Sequence, residues 1–199
     1  MSSLSARTGR DRQRYDNNFR LVSGCIPYRL VKDDEDLNVD FESKIEVLMV
    51  SSPNRHDLVF PKGGWEDDET VLEAATREAM EEAGVKGILR EVPLGVWEFR
   101  SKSSSADAEC CKEGGCKGYM FALEVTEELE AWPERENRKR IWLSTEEALE
   151  LCRYEWMRRA LKEFLRVMTE HEHGRLGTKE EVVSDLGECY DPRYCFVVS

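Results

Sequence analysis

The chain has 199 residues, of which 40% are apolar and 35% charged, and its 41 acids against 29 bases give a formal charge of -12. At about 150 residues per domain this is one domain with extensions, apolar enough for a core and unlike a fibrous or wholly disordered chain. The longest purely apolar runs, such as 47–50, fall far short of the roughly 20 residues that cross a bilayer, and no apolar signal core is present. The acidic balance excludes a whole-surface grip on nucleic acid, which runs on net positive fields. Neither a nucleic-acid polymer nor a membrane is therefore expected as a partner.

In chain order, residues 1–19 carry Arg7, Arg10, Arg12 and Arg14 with few apolar side chains, and read as a flexible basic arm. A domain is expected over 20–172, followed by a polar tail over 173–199. Strands are predicted at 21–28 and 45–51, separated by the acidic turn 32–36, then at 58–60, 94–99, 119–125 and 140–143. The loop 101–118, rich in Ser, Gly and Cys, reads as a surface excursion.

Two helical regions follow from capping and periodicity. Thr70 with Glu73 matches a capping box, opening a helix over 71–83 that Gly84 closes with a left-handed cap. A second helical stretch starts at Ser144, which has Glu147 three residues on, breaks near Arg153 and continues to about residue 172. Met157, Leu161, Phe164, Leu165 and Met168 recur in it at helical spacing and form a packing stripe. The chain is expected to be a monomer or a weak homodimer.

Seven cysteines are present. Cys25 and Cys152 sit in apolar segments and read as buried thiols. Cys110, Cys111 and Cys116 cluster in a polar loop, where the lack of a nearby His argues against zinc. A reducing, intracellular compartment follows.

The informative stretch is 63–85, GGWEDDETVLEAATREAMEEAGV. At about 100° per residue, Glu78, Glu81 and Glu82 share one helix face, and Leu72, Ala75, Ala79 and Ala83 form a neighbouring apolar face. Arg77 stands at i and i+4 from Glu81, where an ion pair can form. Clustered carboxylates repel one another. A solvated acidic face is one reading. The other is neutralisation by a divalent cation, for which oxygen donors suit Mg²⁺ or Mn²⁺. The turn Gly63-Gly64 before the helix permits close backbone approach.

This stretch fits G-x5-E-x7-R-E-U-x-E-E-x-G-U through Gly63, Glu69, Arg77, Glu78, Ala79, Glu81, Glu82, Gly84 and Val85. It thus resembles the Nudix box, with Ala79 where a bulkier aliphatic is usual. Further resemblance, carried by VSSPNRH over 50–56, EEAGVKG over 81–87 and RKRIW over 138–142, is to the diphosphoinositol polyphosphate phosphohydrolase branch and its plant relatives. Lys62 and Trp65 stand where animal members carry Gly and Met.

The resemblance implies an α/β fold, a Nudix-type α/β/α sandwich with a mixed sheet. It implies a Mg²⁺- or Mn²⁺-dependent hydrolase that cleaves a diphosphate linkage in a small polyphosphorylated substrate, a diadenosine polyphosphate or a diphosphoinositol polyphosphate. A non-catalytic polyphosphate-binding module is the alternative. Glu78, Glu81 and Glu82 are implied metal ligands, with the Gly63 carbonyl. Glu78 or Glu81 would be the general base, and Arg77 and Glu69 would orient the set. Arg20, Ser51, Ser52, Arg55 and Lys117 align with phosphate-contacting segments, and Lys62 is a further basic candidate. Some plant members are mitochondrial, which implies that compartment here, with cytoplasm or nucleus as alternatives.

Overall fold

A continuous apolar run makes the centre of the sheet. Strand β2 (Phe19–Leu30) is buried from Leu21 to Tyr28, as a strand covered on both faces must be. Alternate side chains then serve two layers. The structure, a computed structural model, describes residues 5–31, 41–52, 57–100 and 115–184, with side chains through 172.

Around β2 stand β1 (Tyr15–Asp16), β3 (Ile45–Ser51), β4 (Leu58–Val59), β5 (Lys62–Gly64), β6 (Val85–Leu89), β7 (Gly95–Phe99), β8 (Cys116–Glu128) and β9 (Arg140–Ser144). The order is β4-β3-β2-β8-β6, with β1 and β5 also on β2, β7 on β8 and β9 on β3. β2 and β8 run parallel from Arg20↔Cys116 to Tyr28↔Glu124, while their pairings with the other strands are antiparallel. The sheet is mixed, as expected.

Helix α1 (Val71–Glu78) lies on one face, where the Ser23 hydroxyl donates to the Val71 carbonyl at 2.7 Å. The helices α2 (Thr145–Leu151) and α3 (Glu155–Ser184) follow β9. On the face opposite Ser23, the Tyr28 ring meets Phe164 of α3 at 5.1 Å between centroids. Cys25, Cys152, Met157, Leu161 and Phe164 are fully buried, in keeping with the sequence. Both capping boxes form, at Thr70 and at Ser144. The break at Arg153 is fixed by its amide, which donates to the Leu58 carbonyl at 3.0 Å. Among the described residues no helix is long and apolar enough to cross a membrane.

The structure differs from the sequence reading in several places. β2 and β8 are longer than expected, and β1, β5 and β6 were not expected. β5 is Lys-Gly-Gly, poor in strand formers, yet it pairs because Gly24 on β2 has no side chain to collide with Pro61 and Lys62. Cys116 is buried at the start of β8, outside the surface loop assigned to it. The box helix turns from α to π winding over Ala79–Ala83, where the Gly84 amide donates to the Ala79 and Met80 carbonyls. The spacing of about 100° per residue therefore ends at Glu78. Residues 5–16, part of the stretch read as a flexible basic arm, lie against the 63–69 segment: the Arg14 amide donates to the Trp65 carbonyl at 2.9 Å and the Asp67 amide to the Arg12 carbonyl at 2.8 Å. Arg55, the turn 32–36, Cys110, Cys111 and the tail from 185 fall outside the described residues.

Candidate active site

Four elements converge at the C-terminal half of the box helix. α1 with its π turn presents Glu78, Glu81 and Glu82, each under a tenth exposed. Strand β5 brings the Gly63 backbone against the Glu78 carboxylate, so closely that a methyl group on Gly63 would overlap it. The Lys62 amide of the same strand donates to Glu82 Oε2 at 2.9 Å. Gly84, at φ +63, ends the turn, and Trp132 packs where a Cβ would stand. Arg140 then donates to the carbonyls of Ala83 and Gly84 at 3.2 and 3.0 Å and lies over the Trp132 ring at 4.4 Å. A cation on the last carbonyls of a helix is the favourable end for the dipole.

Arginines hold the carboxylates in place. Arg77 grips Glu69 through Nε–Oε2 at 2.9 Å and Nη2–Oε1 at 2.8 Å, and its Nη2 also donates to the Gly64 carbonyl at 2.9 Å. Its Nη1 bridges Glu78 Oε1 at 2.6 Å and Glu81 Oε2 at 3.2 Å. Arg138 pairs with Glu82 and with Glu134 and donates to the Ser51 carbonyl at 3.4 Å. From the arm, the Arg7 amide donates to Glu81 Oε2 at 3.3 Å, and its guanidinium pairs with Glu66 and Asp68 at 2.7 and 2.9 Å.

The electrostatics follow from burial. Loss of water pushes the Glu78 carboxyl up to about 8, aided by the Glu82 charge and opposed by Arg77. Burial raises Glu81 too, against the pull of Arg77 and Arg7, and raises Glu82 against Lys62 and Arg138. For Arg77, burial works against the charge, but Glu69 and Glu78 outweigh it and hold the guanidinium ionised.

The donor set suits a hard divalent cation: carboxylate oxygens packed against the Gly63 backbone, with the Gly64 carbonyl on the same Arg77 guanidinium. Among the described residues no three His, Cys, Asp or Glu side chains already surround one point. Instead the Arg77 guanidinium occupies the bridging position between Glu78 and Glu81, supplying the positive charge that such a pair requires. The residues present fit a divalent cation for this reason.

Of the other residues singled out in the sequence, Arg20 and Lys62 share one cavity with Gly63. Ser51 stands beside Arg138: its hydroxyl accepts from the Lys139 amide at 3.0 Å, and Ser52 follows at the strand end. The Lys117 ammonium, near the start of β8, is held by Asp16 at 3.1 Å. Sequence reasoning missed Arg7, Glu134 and Gln13, whose side-chain oxygen accepts from Arg20 at 2.9 Å. The arginine count of the arm was the one available signal for Arg7, but nothing in its spacing says that it returns to the box.

Known proteins resemble this chain in sequence and in fold. The NUDIX domain model matches residues 37–164. The chain is 74% identical over 206 residues to "Nudix hydrolase 13, mitochondrial" of Arabidopsis thaliana, with 100% of both chains covered. It is 34% identical over 136 residues to diphosphoinositol polyphosphate phosphohydrolase 2 of Mus musculus, covering 67% of this chain and 63% of that one. A crystal structure of a C. elegans Ap4A hydrolase binary complex shares the fold at a TM-score of 0.53 and 22% identity, covering 75% of this chain and 98% of that one. The family works with divalent metal ions on small nucleotide-type substrates. With the family model spanning more than half its length and a whole-chain relative at 74% identity, the chain belongs to the Nudix family and is a Nudix hydrolase.

Proposed function

We propose that the enzyme uses Mg²⁺ or Mn²⁺ to hydrolyse a phosphoanhydride linkage in a small polyphosphorylated substrate, a diadenosine polyphosphate or a diphosphoinositol polyphosphate. The observation that carries this reading is the burial of Glu78, Glu81 and Glu82 against the Gly63 turn. Burying three acids together is unfavourable unless cations meet them, and the pairs with Arg77 and Arg138 still leave all three held above the ordinary carboxylate range by burial, which a divalent cation would relieve. The names of the mouse relative and the nematode structure support these two substrate classes as candidates.

Glu78, Glu81, Glu82 and the Gly63 carbonyl would hold the metal. When bound, it would neutralise phosphate oxygens and lower the proton affinity of water. Glu78 or Glu81 takes the proton from the attacking water. The water oxygen bonds to phosphorus while the anhydride P–O bond breaks, and the departing phosphate carries that electron pair away. Arg77 and Glu69 orient the acids. Arg20, Ser51, Ser52, Arg55, Lys62 and Lys117 bind the substrate phosphates. We further propose a catalytic domain over 20–172, a monomer or weak homodimer, and, from the name of the Arabidopsis relative, a mitochondrial location.

A substrate panel tests this reading: phosphate release with Mg²⁺ and with Mn²⁺ from diphosphoinositol phosphates, diadenosine polyphosphates, ADP-ribose and NADH. Turnover of the first or second is expected, and Glu82→Gln should abolish most of it while melting as a folded protein. Failure to turn over either compound with either metal rejects the proposal.

A further inference from the structure

Beside Gly63 lies a cavity of about 60 Å³ lined by Arg20, Lys62, Phe99, Arg100 and Tyr154. A water needs only about 10–15 Å³ by that measure, so the space holds several waters or one phosphate group. The cavity collects three cationic side chains in a chain of net charge -12. The one side-chain partner of Arg20 among the described residues is the neutral Gln13, at 2.9 Å. Arg100 pairs with no carboxylate among the described residues. Lys62 already feels the Glu82 carboxylate, but Arg20 and Arg100 have no acidic partner among the described residues, and two guanidinium groups in one concavity repel unless an anion joins them.

The aromatic walls distinguish an anion from a nucleobase. Phe99 is stacked on Trp156 at 4.3 Å and 9°, and Gly118 leaves the room that its ring edge needs. Tyr154 lies beneath the Arg153 guanidinium at 4.8 Å and beside Trp156 at 6.5 Å. These rings are already stacked within the protein. What they offer the cavity is an apolar edge and the Tyr154 hydroxyl, a hydrogen-bond donor.

We propose that this cavity is a subsite for a phosphate monoester dianion, held by Arg20, Lys62, Arg100 and the Tyr154 hydroxyl, immediately beside the Gly63 turn. Two guanidinium groups and an ammonium match a doubly charged terminal phosphate, whereas a phosphodiester carries one charge and fewer free oxygens. The inference rests on the hydrolase reading for one point only, that the scissile anhydride lies at Gly63. The substrate class then selected carries a phosphate monoester next to that anhydride, as a polyphosphorylated polyol does. A dinucleoside polyphosphate, whose phosphates are all internal, lacks one.

The test uses the full chain, stripped of metal on a chelating resin, with methyl phosphate and dimethyl phosphate as probes. Binding is read from backbone amide shifts. Methyl phosphate should shift the amides of Lys62, Gly63, Arg100 and Tyr154 and saturate, while dimethyl phosphate binds at least about tenfold more weakly. Arg100→Ala, at an exposed position, should weaken methyl phosphate by about fivefold or more, and Tyr154→Phe by about threefold, with melting temperatures unchanged. No saturable shift at these amides, equal binding of the two esters, or binding indifferent to Arg100→Ala would each overturn the proposal. Turnover plays no part in the readout. A failed substrate panel would leave this result standing, and a failed titration would leave the hydrolase reading standing.

Discussion

Arg77 and Glu69 meet fork to fork, through two charge-assisted hydrogen bonds of 2.9 and 2.8 Å, across eight residues of chain. Both side chains are nearly sealed from water, at 11% and 6% exposure, so breaking the pair leaves a buried charge without its partner. Arg77→Ala should lower unfolding free energy by about 3–5 kcal/mol, measured by urea denaturation. Arg77→Lys should recover only part of this, because an ammonium cannot span both oxygens. A loss below about 1 kcal/mol in Arg77→Ala would mean that the pair is not the clamp between loop and helix.

Gly63 has no room for a side chain on its Glu78 side. Gly63→Ala should push the Glu78 carboxylate away from the backbone. The expected result is at least a hundredfold loss of diphosphohydrolase turnover in single-substrate kinetics, given the cost of about 1 Å of misplacement at a reacting centre. Far-UV circular dichroism should be retained, since β5 is short. Turnover within a few fold of the parent would show that the turn and the carboxylate need not touch.

The Glu78 carboxyl is raised from 4.5 to about 8 in the metal-free fold. The folded chain therefore holds this proton more tightly than the unfolded chain does. The associated stability is present below the ordinary carboxylate value and is lost as pH rises toward 8. Glu81 and Glu82 are shifted in the same direction and add to the effect. Asp68, Glu73 and Glu163 are lowered, and their contributions are lost on acidification below the ordinary range instead. Metal-free protein should thus melt at falling temperature between pH 5 and 8.5. Mg²⁺ competes for the same oxygens, so the rise in melting temperature that it causes should be larger at pH 8.5 than at pH 6. Calorimetric scans that are flat with pH would contradict the shift.

Arg7 and Arg12 set positive charge against Glu66, Asp67 and Asp68, and the Arg7 amide sits on Glu81. Deleting residues 1–12 removes competitors for a cation. Mn²⁺ affinity, followed by electron paramagnetic resonance, should rise by roughly two- to fivefold, with less effect at high salt because these pairs are partly exposed. Weaker Mn²⁺ binding after the deletion would reverse the role given to the arm.

The box helix was legible in the chain because several local signals agreed: the Thr70 cap, the Gly84 stop, the small apolar face and the Arg77–Glu81 spacing. Cys25 and Cys152 were legible from their apolar neighbours. The π turn was not, because winding over Ala79–Ala83 depends on what Gly84 and Trp132 do beyond it. Strand β5 was hidden by its composition, and its pairing exists only because Gly24 faces it from another strand. The contacts of the arm were hidden for a similar reason. Its partners Glu66, Asp67 and Asp68 lie more than fifty positions away, and sequence spacing carries no information on such a meeting.

The parallel pairing of β2 with β8 also governs the order in which the protein can be made. Arg20 pairs with Cys116 and Tyr28 with Glu124, so the middle of the sheet joins an early segment to one that leaves the ribosome much later. Until then β2 has no partner along that edge, and the nascent chain must carry the strand with its longest buried run uncovered, exposed to aggregation.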